Sequence, residues 1–214
     1  MSDKAFLLRL IHEGEHQQQD FKYKITDACK LDKSVSAFAN TDGGRLLIGV
    51  RDDGNLSGVR SEEEIFMMRS AAEDYCRPAA AISFETFLAE GRSIVIATVP
   101  RSDKKPIRAL GDDGRWRAYI RVEDENIVAS PVHLRIWRDE LSPRGQLVNI
   151  GDDEAQVMRV MAEAPPLTLN QVARRSKVPR HRTVVILARL VRFGLAEWQL
   201  QDHQFVFSGE AENK

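Results

Sequence analysis

Only two cysteines, Cys29 and Cys76, occur in the 214 residues. They are too few and too far apart for a disulfide scaffold or a zinc knuckle, so both are expected to be packing residues. Long apolar runs are missing as well, and no stretch approaches the ~18 residues that a membrane-spanning helix needs. The opening MSDKAFLLRLIHEGEH has neither an extended apolar core nor a small-residue cleavage site, which makes the cytoplasm the expected location, with no membrane partner. No G-x4-G-K-[ST] segment exists, so a Walker-type phosphate cradle, and with it ATP, is not expected. Internal repeats and low-complexity tracts are absent. Net charge is close to absent, at -1. What remains is a globular composition, with 43% hydrophobic residues, enough for a core in each of one or two domains.

The small net charge hides an asymmetry. Between residues 165 and 200, Arg174, Arg175, Lys177, Arg180, Arg182, Arg189 and Arg192 face a single acid, Glu197. The same region reads as a helix at 152–164, Pro165-Pro166, a helix at 168–176, a turn at Lys177-Val178, a helix at 179–193, Gly194, and a strand, turn and strand to 207. That order describes a winged helix-turn-helix. Thr168 can cap the second helix, Pro179 suits the first turn of the third, and Gly194 its C-cap. Val184, Leu187, Leu190 and Val191 would hold the third helix on the core. Arg180, His181, Arg182, Thr183 and Ile186 are then expected on or near its exposed N-terminal part, where a recognition helix meets the major groove. Phe193, Trp198, Phe205 and Phe207 have the spacing of core and wing packing. Arg174, Arg175, Lys177, Arg180, His181 and Arg182 form the expected nucleic-acid-binding set, because neutralising phosphates supplies most of such binding. The competing reading is a solvated basic face on a domain that contacts proteins.

Two motifs dominate the N-terminal half. Residues 37–54 read AFANTDGGRLLIGVRDDG: a helix at 32–40 stops at Gly43-Gly44, a short aliphatic strand follows at 45–50, and the Asp52-Asp53-Gly54-Asn55 turn sends the chain back through 56–59. Upstream, residues 19–25 alternate, with Asp20, Lys22 and Lys24 on one face and Phe21, Tyr23 and Ile25 on the other. If that strand lies beside 45–50, Glu15, Asp20, Lys22 and Asp52 converge on one patch. Further helices are expected at 61–76, capped by Ser61, and at 131–141, with strands at 83–88, 93–99 and 115–122. His12-Glu13-Gly14-Glu15-His16 matches H-E-x-x-H, but Gly14 interrupts the continuous helix that a zinc site of that kind requires.

At these residues the chain resembles the Schlafen-type AlbA domain, also called the divergent AAA domain, a family associated with nucleic-acid or nucleotide binding. The resemblance rests on Gly14-Glu15 with Asp20-Phe21-Lys22, on the whole of 37–54, and more weakly on Lys105-Pro106 and Tyr119-Ile120-Arg121-Val122. It spans roughly residues 5–141. With the breaker Ser142-Pro143-Arg144-Gly145, it implies a domain at 1–145, a linker at 146–151, a winged helix domain at 152–209 and a tail at 210–214. The fold class is then α+β: a mixed-sheet Schlafen AlbA-like domain followed by a small winged helix domain.

Two functions follow. Vertebrate Schlafen proteins cleave structured RNA with a Glu, Glu, Asp set, and by resemblance those roles fall on Glu15, Asp20 and Asp52, with Lys22 beside them. Three carboxylates could hold Mg2+ or Mn2+ for in-line attack at phosphorus, although Asp20 stands where the family has Glu. Schlafen cores pair two such domains to form a groove, which this chain could match only as a homodimer. Alternatively, these residues cap turns and form ion pairs, and the protein is a DNA-binding transcriptional regulator. The complete helix-turn-helix favours the second reading, with DNA ahead of structured RNA such as tRNA as partner.

Overall fold

A computed structural model describes residues 3–25, 27–28, 31–59, 62–141, 150–163 and 165–209. Cys29, the expected cap Ser61, the domain boundary at 145, most of the linker and the tail lie outside the described residues. The chain forms two units, Met1–Val128 and Ala129–Lys214.

In the first unit, one helix is packed between two sheets. The first sheet has the order β1-β2-β5-β4, built from β1 (Gln19–Lys22), β2 (Gly44–Ile48), β4 (Ser83–Ala89) and β5 (Arg92–Val99). β1 and β2 are parallel, with Asp20 opposite Leu46 and Lys22 opposite Ile48, and the other pairs are antiparallel. The second sheet has the order β3-β6-β7-β8: β3 (Cys76–Arg77), β6 (Arg108–Leu110), β7 (Trp116–Val122) and β8 (Glu125–Val128). The central helix α2 (Asp32–Asn40) buries every residue except Lys33. Leu46 and Ile48 of β2 join Val35 and Phe38 of α2 in one core. Leu47 points the other way, onto Leu7 and Leu10 of α1 (Asp3–Glu13). That two-sided burial explains the unbroken aliphatic run in β2, since a strand covered on both faces has no polar side to alternate. A third helix, α3 (Glu63–Glu73), adds Met68, Ala71 and Ala72 to the α2 core.

The motif at 37–54 is largely architecture. Asn40 Nδ2 donates to the carbonyls of Ile107 (2.8 Å) and Tyr119 (2.9 Å), and its Oδ1 accepts from Ile107 N at 2.8 Å. Thr41 Oγ1 donates to Ala37 O and accepts from Arg121 N at 2.9 Å. Gly43 has a φ of +73°, and a Cβ there would stand 2.9 Å from Arg101 N; at Gly44 a Cβ would overlap the Phe38 ring. Residues 56–59, expected as a returning strand, contribute only the isolated bridge Val50–Leu56. The short strands β3, β6 and β8 have no counterpart in the sequence reading.

The second unit contains α4 (Pro131–Glu140), α5 (Asp152–Ala162), β9 (Leu167–Thr168), α6 (Leu169–Ser176), α7 (Arg180–Arg192), β10 (Ala196–Gln201) and β11 (Gln204–Gly209). Its three strands pair antiparallel in the order β10-β11-β9. Val157, Met161, Val172, Leu187, Leu190 and Phe207 make the core. Helix α4, which the resemblance assigns to the first domain, packs here because Val132 enters this core and the His133 ring meets Trp198 and Phe205 at 4.7 Å. Thr168 forms a capping box with Gln171, and Lys177 ends α6 in the left-handed conformation. Asp202 and His203, with φ of 48° and 58°, make the two-residue hairpin between β10 and β11. Two expectations are corrected. Thr183 and Ile186 are buried rather than exposed, because both fall on the core side of α7, where the Thr183 hydroxyl donates to the carbonyls of Val178 and Pro179. Phe193, expected in the packing, is instead 45% exposed at the end of α7.

Candidate functional site

Gly14, at φ +73°, ends α1 and turns the chain into β1. Glu15 then reaches forward and accepts a hydrogen bond from Phe21 N at 2.8 Å. Buried Gln19 donates to Leu10 O and Gly14 O, satisfying carbonyls near the end of α1, and accepts from Arg45 Nε at 2.7 Å. This frame places Asp20, almost fully buried, between Lys22 Nζ at 2.8 Å and Arg121 Nη2 at 3.8 Å, with the Ser34 hydroxyl at 3.4 Å.

Glu15 and Asp20 also share a hydrogen bond, and their acidities diverge. Burial, and then that bond, raise the Glu15 carboxyl above its ordinary 4.5. Burial works against ionising Asp20 too, but the Glu15 hydrogen bond and the charges of Lys22 and Arg121 outweigh it and hold Asp20 below 3.8. Glu15 is thus shifted toward its neutral form and Asp20 toward its ionised form. Two carboxyls pushed apart in this way suit acid–base work.

Of the predicted patch, the structure brings together Glu15, Asp20 and Lys22. Asp52 stands apart, exposed in the turn after β2, with no hydrogen bond or ion pair to the other three among the described residues. No group of three His, Cys, Asp or Glu side chains among the described residues could hold a metal ion. Among the described residues Glu15, Asp20 and Asp52 are thus not gathered as one three-carboxylate group, while Glu15 and Asp20 lie together with Lys22 and Arg121. The H-E-x-x-H pattern is broken as expected, since α1 stops at Glu13 and His16 lies in a β-bridge with Gln19. Asp53 is a turn residue, accepting from Asn55 N at 3.0 Å.

The residue that the sequence reading missed is Arg121. Its side chain is 1% exposed, donates to Asn126 Oδ1 (3.0 Å) and Gln19 O (3.2 Å), and stacks on Phe38 at 5.2 Å. Its signal was the Tyr-Ile-Arg-Val element itself, an arginine inside an otherwise apolar strand.

The second unit presents a different surface. Arg174, Arg175, Lys177, Arg180, His181 and Arg182 are all exposed, spread over the end of α6, the turn and the start of α7. Two arginines of α7 are engaged by the first turn of α5: Arg182 Nη2 lies 2.9 Å from Asp153, and Arg189 Nη1 lies 3.3 Å from Glu154. Arg180 donates through Nε to Asn170 Oδ1 at 2.9 Å.

A family model described as Schlafen, AlbA_2 matches residues 15–130, more than half of the chain. No curated protein matches it. Among solved structures, the chain is similar to the DIP2311 protein from Corynebacterium diphtheriae, at 20% identity and a TM-score of 0.44, over 67% of this chain and 29% of that one. It is also similar to the N-terminal domain of a Nitrosomonas europaea protein described as related to the ATP-dependent DNA helicase RecG. That match has 18% identity and a TM-score of 0.39, over 70% of this chain and 96% of that one. The chain thus spans less than a third of the first of these proteins. Among the described residues no helix is long and apolar enough to cross a membrane.

Proposed function

This chain belongs to the Schlafen, AlbA_2 family, and from that premise we propose that it is a DNA-binding transcriptional regulator whose second unit is a winged helix-turn-helix reading duplex DNA. The observation that carries the proposal is the basic face of α6 and α7: six exposed cationic or imidazole side chains gathered around one helix-turn-helix, with none of the six buried. The order α5-β9-α6-α7-β10-β11, with a tight hairpin for the wing, supports the same reading. In such a frame α7 enters the major groove by its N-terminus, and Arg174, Arg175 and Lys177 lie where phosphates pass. A homodimer, which would set two such helices one helical turn apart on the duplex, is part of the proposal. The test is duplex binding as a function of salt. Arg174→Ala with Arg175→Ala is expected to weaken all sequences alike and to lower the salt slope by about two, one per phosphate contact. Arg180→Ala with Arg182→Ala should abolish tight binding. Unchanged affinity and slope in both double variants would sink the reading, and light scattering of the complex reports one chain or two.

One observation favours a second reading, cleavage of structured RNA. Glu15, Asp20 and Lys22 lie together around β1, the two carboxyls with acidities shifted in opposite directions. Glu15, the more exposed of the two carboxyls, would exchange a proton with the reacting oxygens, and Lys22 would offset charge building on the phosphate. RNA cleavage, assayed with Mg2+ or Mn2+ and again in EDTA, that is lost in Glu15→Gln would support it; cleavage that survives the change would dismiss it.

A further inference from the structure

Arg180 and Arg182 sit on the same turn of α7, yet the structure treats them differently. Arg182 spends a terminal amino group on Asp153, at 2.9 Å. Arg180 is held from behind: only its Nε is used, donated to Asn170 Oδ1 at 2.9 Å, and among the described residues neither Nη1 nor Nη2 has a partner. Asn170 is an exposed residue whose backbone is set as the second position of α6, next to the Thr168–Gln171 capping box. A guanidinium gripped at Nε keeps its two terminal amino groups in one plane as a fork, and its long side chain gives up rotamer freedom before any ligand arrives. The complement of that fork is a pair of acceptors side by side, and on a base edge in the major groove this is guanine O6 and N7.

We propose that Arg180 is the residue that reads a guanine in the major groove and that Asn170 is its positioning residue; this rests on the DNA-binding reading above. Arg182 is assigned a lesser part, because contact with DNA would first require release from Asp153. The pairing joins the two helices of the motif, so that base reading on α7 depends on a side chain of α6. A phosphate offers the same paired acceptors, and the two sources differ in what they do to specificity.

The experiment begins with the full chain selecting sites from a pool of random-sequence duplexes, followed by titrations on the selected duplex and on versions with each base pair replaced in turn. Replacing one guanine is expected to weaken the parent protein about tenfold, the usual worth of a bidentate contact. In Asn170→Ala that penalty should shrink to about twofold or less, while penalties elsewhere and the slope of log affinity against log salt are unchanged. Asn170→Asp keeps the acceptor and should keep the discrimination. Arg180→Ala should erase it at the same position, and the double variant should lose no more than Arg180→Ala alone. A structural defect in α6 would not follow this pattern, and thermal melts identify variants that fold poorly. If Asn170→Ala lowers the salt slope or weakens every sequence equally, Arg180 is on a phosphate and the assignment is overturned; an unchanged base profile overturns it too. A parent protein that selects no duplex refutes the DNA-binding reading itself, before any variant is compared.

Discussion

Asp20→Ala removes a carboxylate that is 4% exposed and lies 2.8 Å from Lys22 and 3.8 Å from Arg121. The two cations respond differently. The Lys22 side chain is 32% exposed and can turn to water, so losing that contact counts for little. Arg121 has a side chain only 1% exposed and cannot. It keeps its hydrogen bonds to Asn126 and to the Gln19 carbonyl, but its charge is left buried without a counter-charge. Removing one member of a buried pair costs roughly 3–5 kcal/mol, and the bonds that remain put the expected loss near the low end, about 3 kcal/mol. That is a large share of the ~5–15 kcal/mol that holds a domain folded. Hydrogen exchange read by mass spectrometry measures it locally, with peptides from α2 and β2 reporting the first unit and peptides from α7 serving as the internal reference. A loss below about 1 kcal/mol in α2 and β2, or an equal loss in α7, would refute the argument that Asp20 neutralises Arg121. The result also bears on any cleavage assay, because an inactive Asp20 variant that has lost α2 says nothing about catalysis.

Asn40→Ala leaves the amide of Ile107 and the carbonyl of Tyr119 without their side-chain partner inside the core, and at roughly 1–3 kcal/mol for each buried group it should lower the urea midpoint of the first unit clearly; an unchanged midpoint would mean that water replaces the side chain. Asp32, buried at the start of α2, has its carboxyl lifted by desolvation from 3.8 to about 7, so the stability linked to its neutral form is fully present below pH 3.8 and is lost as pH rises through about 7. Asp32→Asn should therefore melt higher than the parent at pH 8, with the advantage shrinking toward pH 4, and a parent-like pH profile in the variant would count against this. Gly44→Ala should destabilise by about 1–3 kcal/mol, because the new methyl group must displace the Phe38 ring in a packed core, and a thermal melt equal to the parent's would show that the ring can move.

How much of this was legible depended on whether a residue's partners were near in sequence. Helix α6 was readable because its capping box lies within four residues, and the succession of α6 and α7 because each helix carries its own stop: Lys177 for α6 and Gly194 after α7. Strands β1 and β2 were readable from alternation and an aliphatic run, whereas their pairing entered only as a condition, which the parallel register meets. Asp20 was harder, because a charged residue on an alternating strand reads as the solvent face, and the arginine that makes its burial tolerable lies 101 positions away. Asp52 failed for the opposite reason. Its place in the turn after a strand was read correctly, but among the described residues no hydrogen bond or ion pair ties it to Glu15, Asp20 or Lys22. Thr183 and Ile186 were misplaced because the core side of α7 is wider than one apolar stripe, and a threonine that bonds the carbonyls just before its helix is as well buried as a valine.

The central helix has a consequence for the way chains of this kind change. With every residue of α2 but Lys33 enclosed, and Asn40 and Thr41 wired to strands that come more than sixty residues later, hardly a position there can drift without loosening the first unit. Glu15, by contrast, is an exposed residue between α1 and β1, so exchanging it disturbs less of the core. A descendant could therefore discard its chemistry and keep AFANTDGG intact, so the segment that best marks kinship is a poor witness to what any one bearer still does.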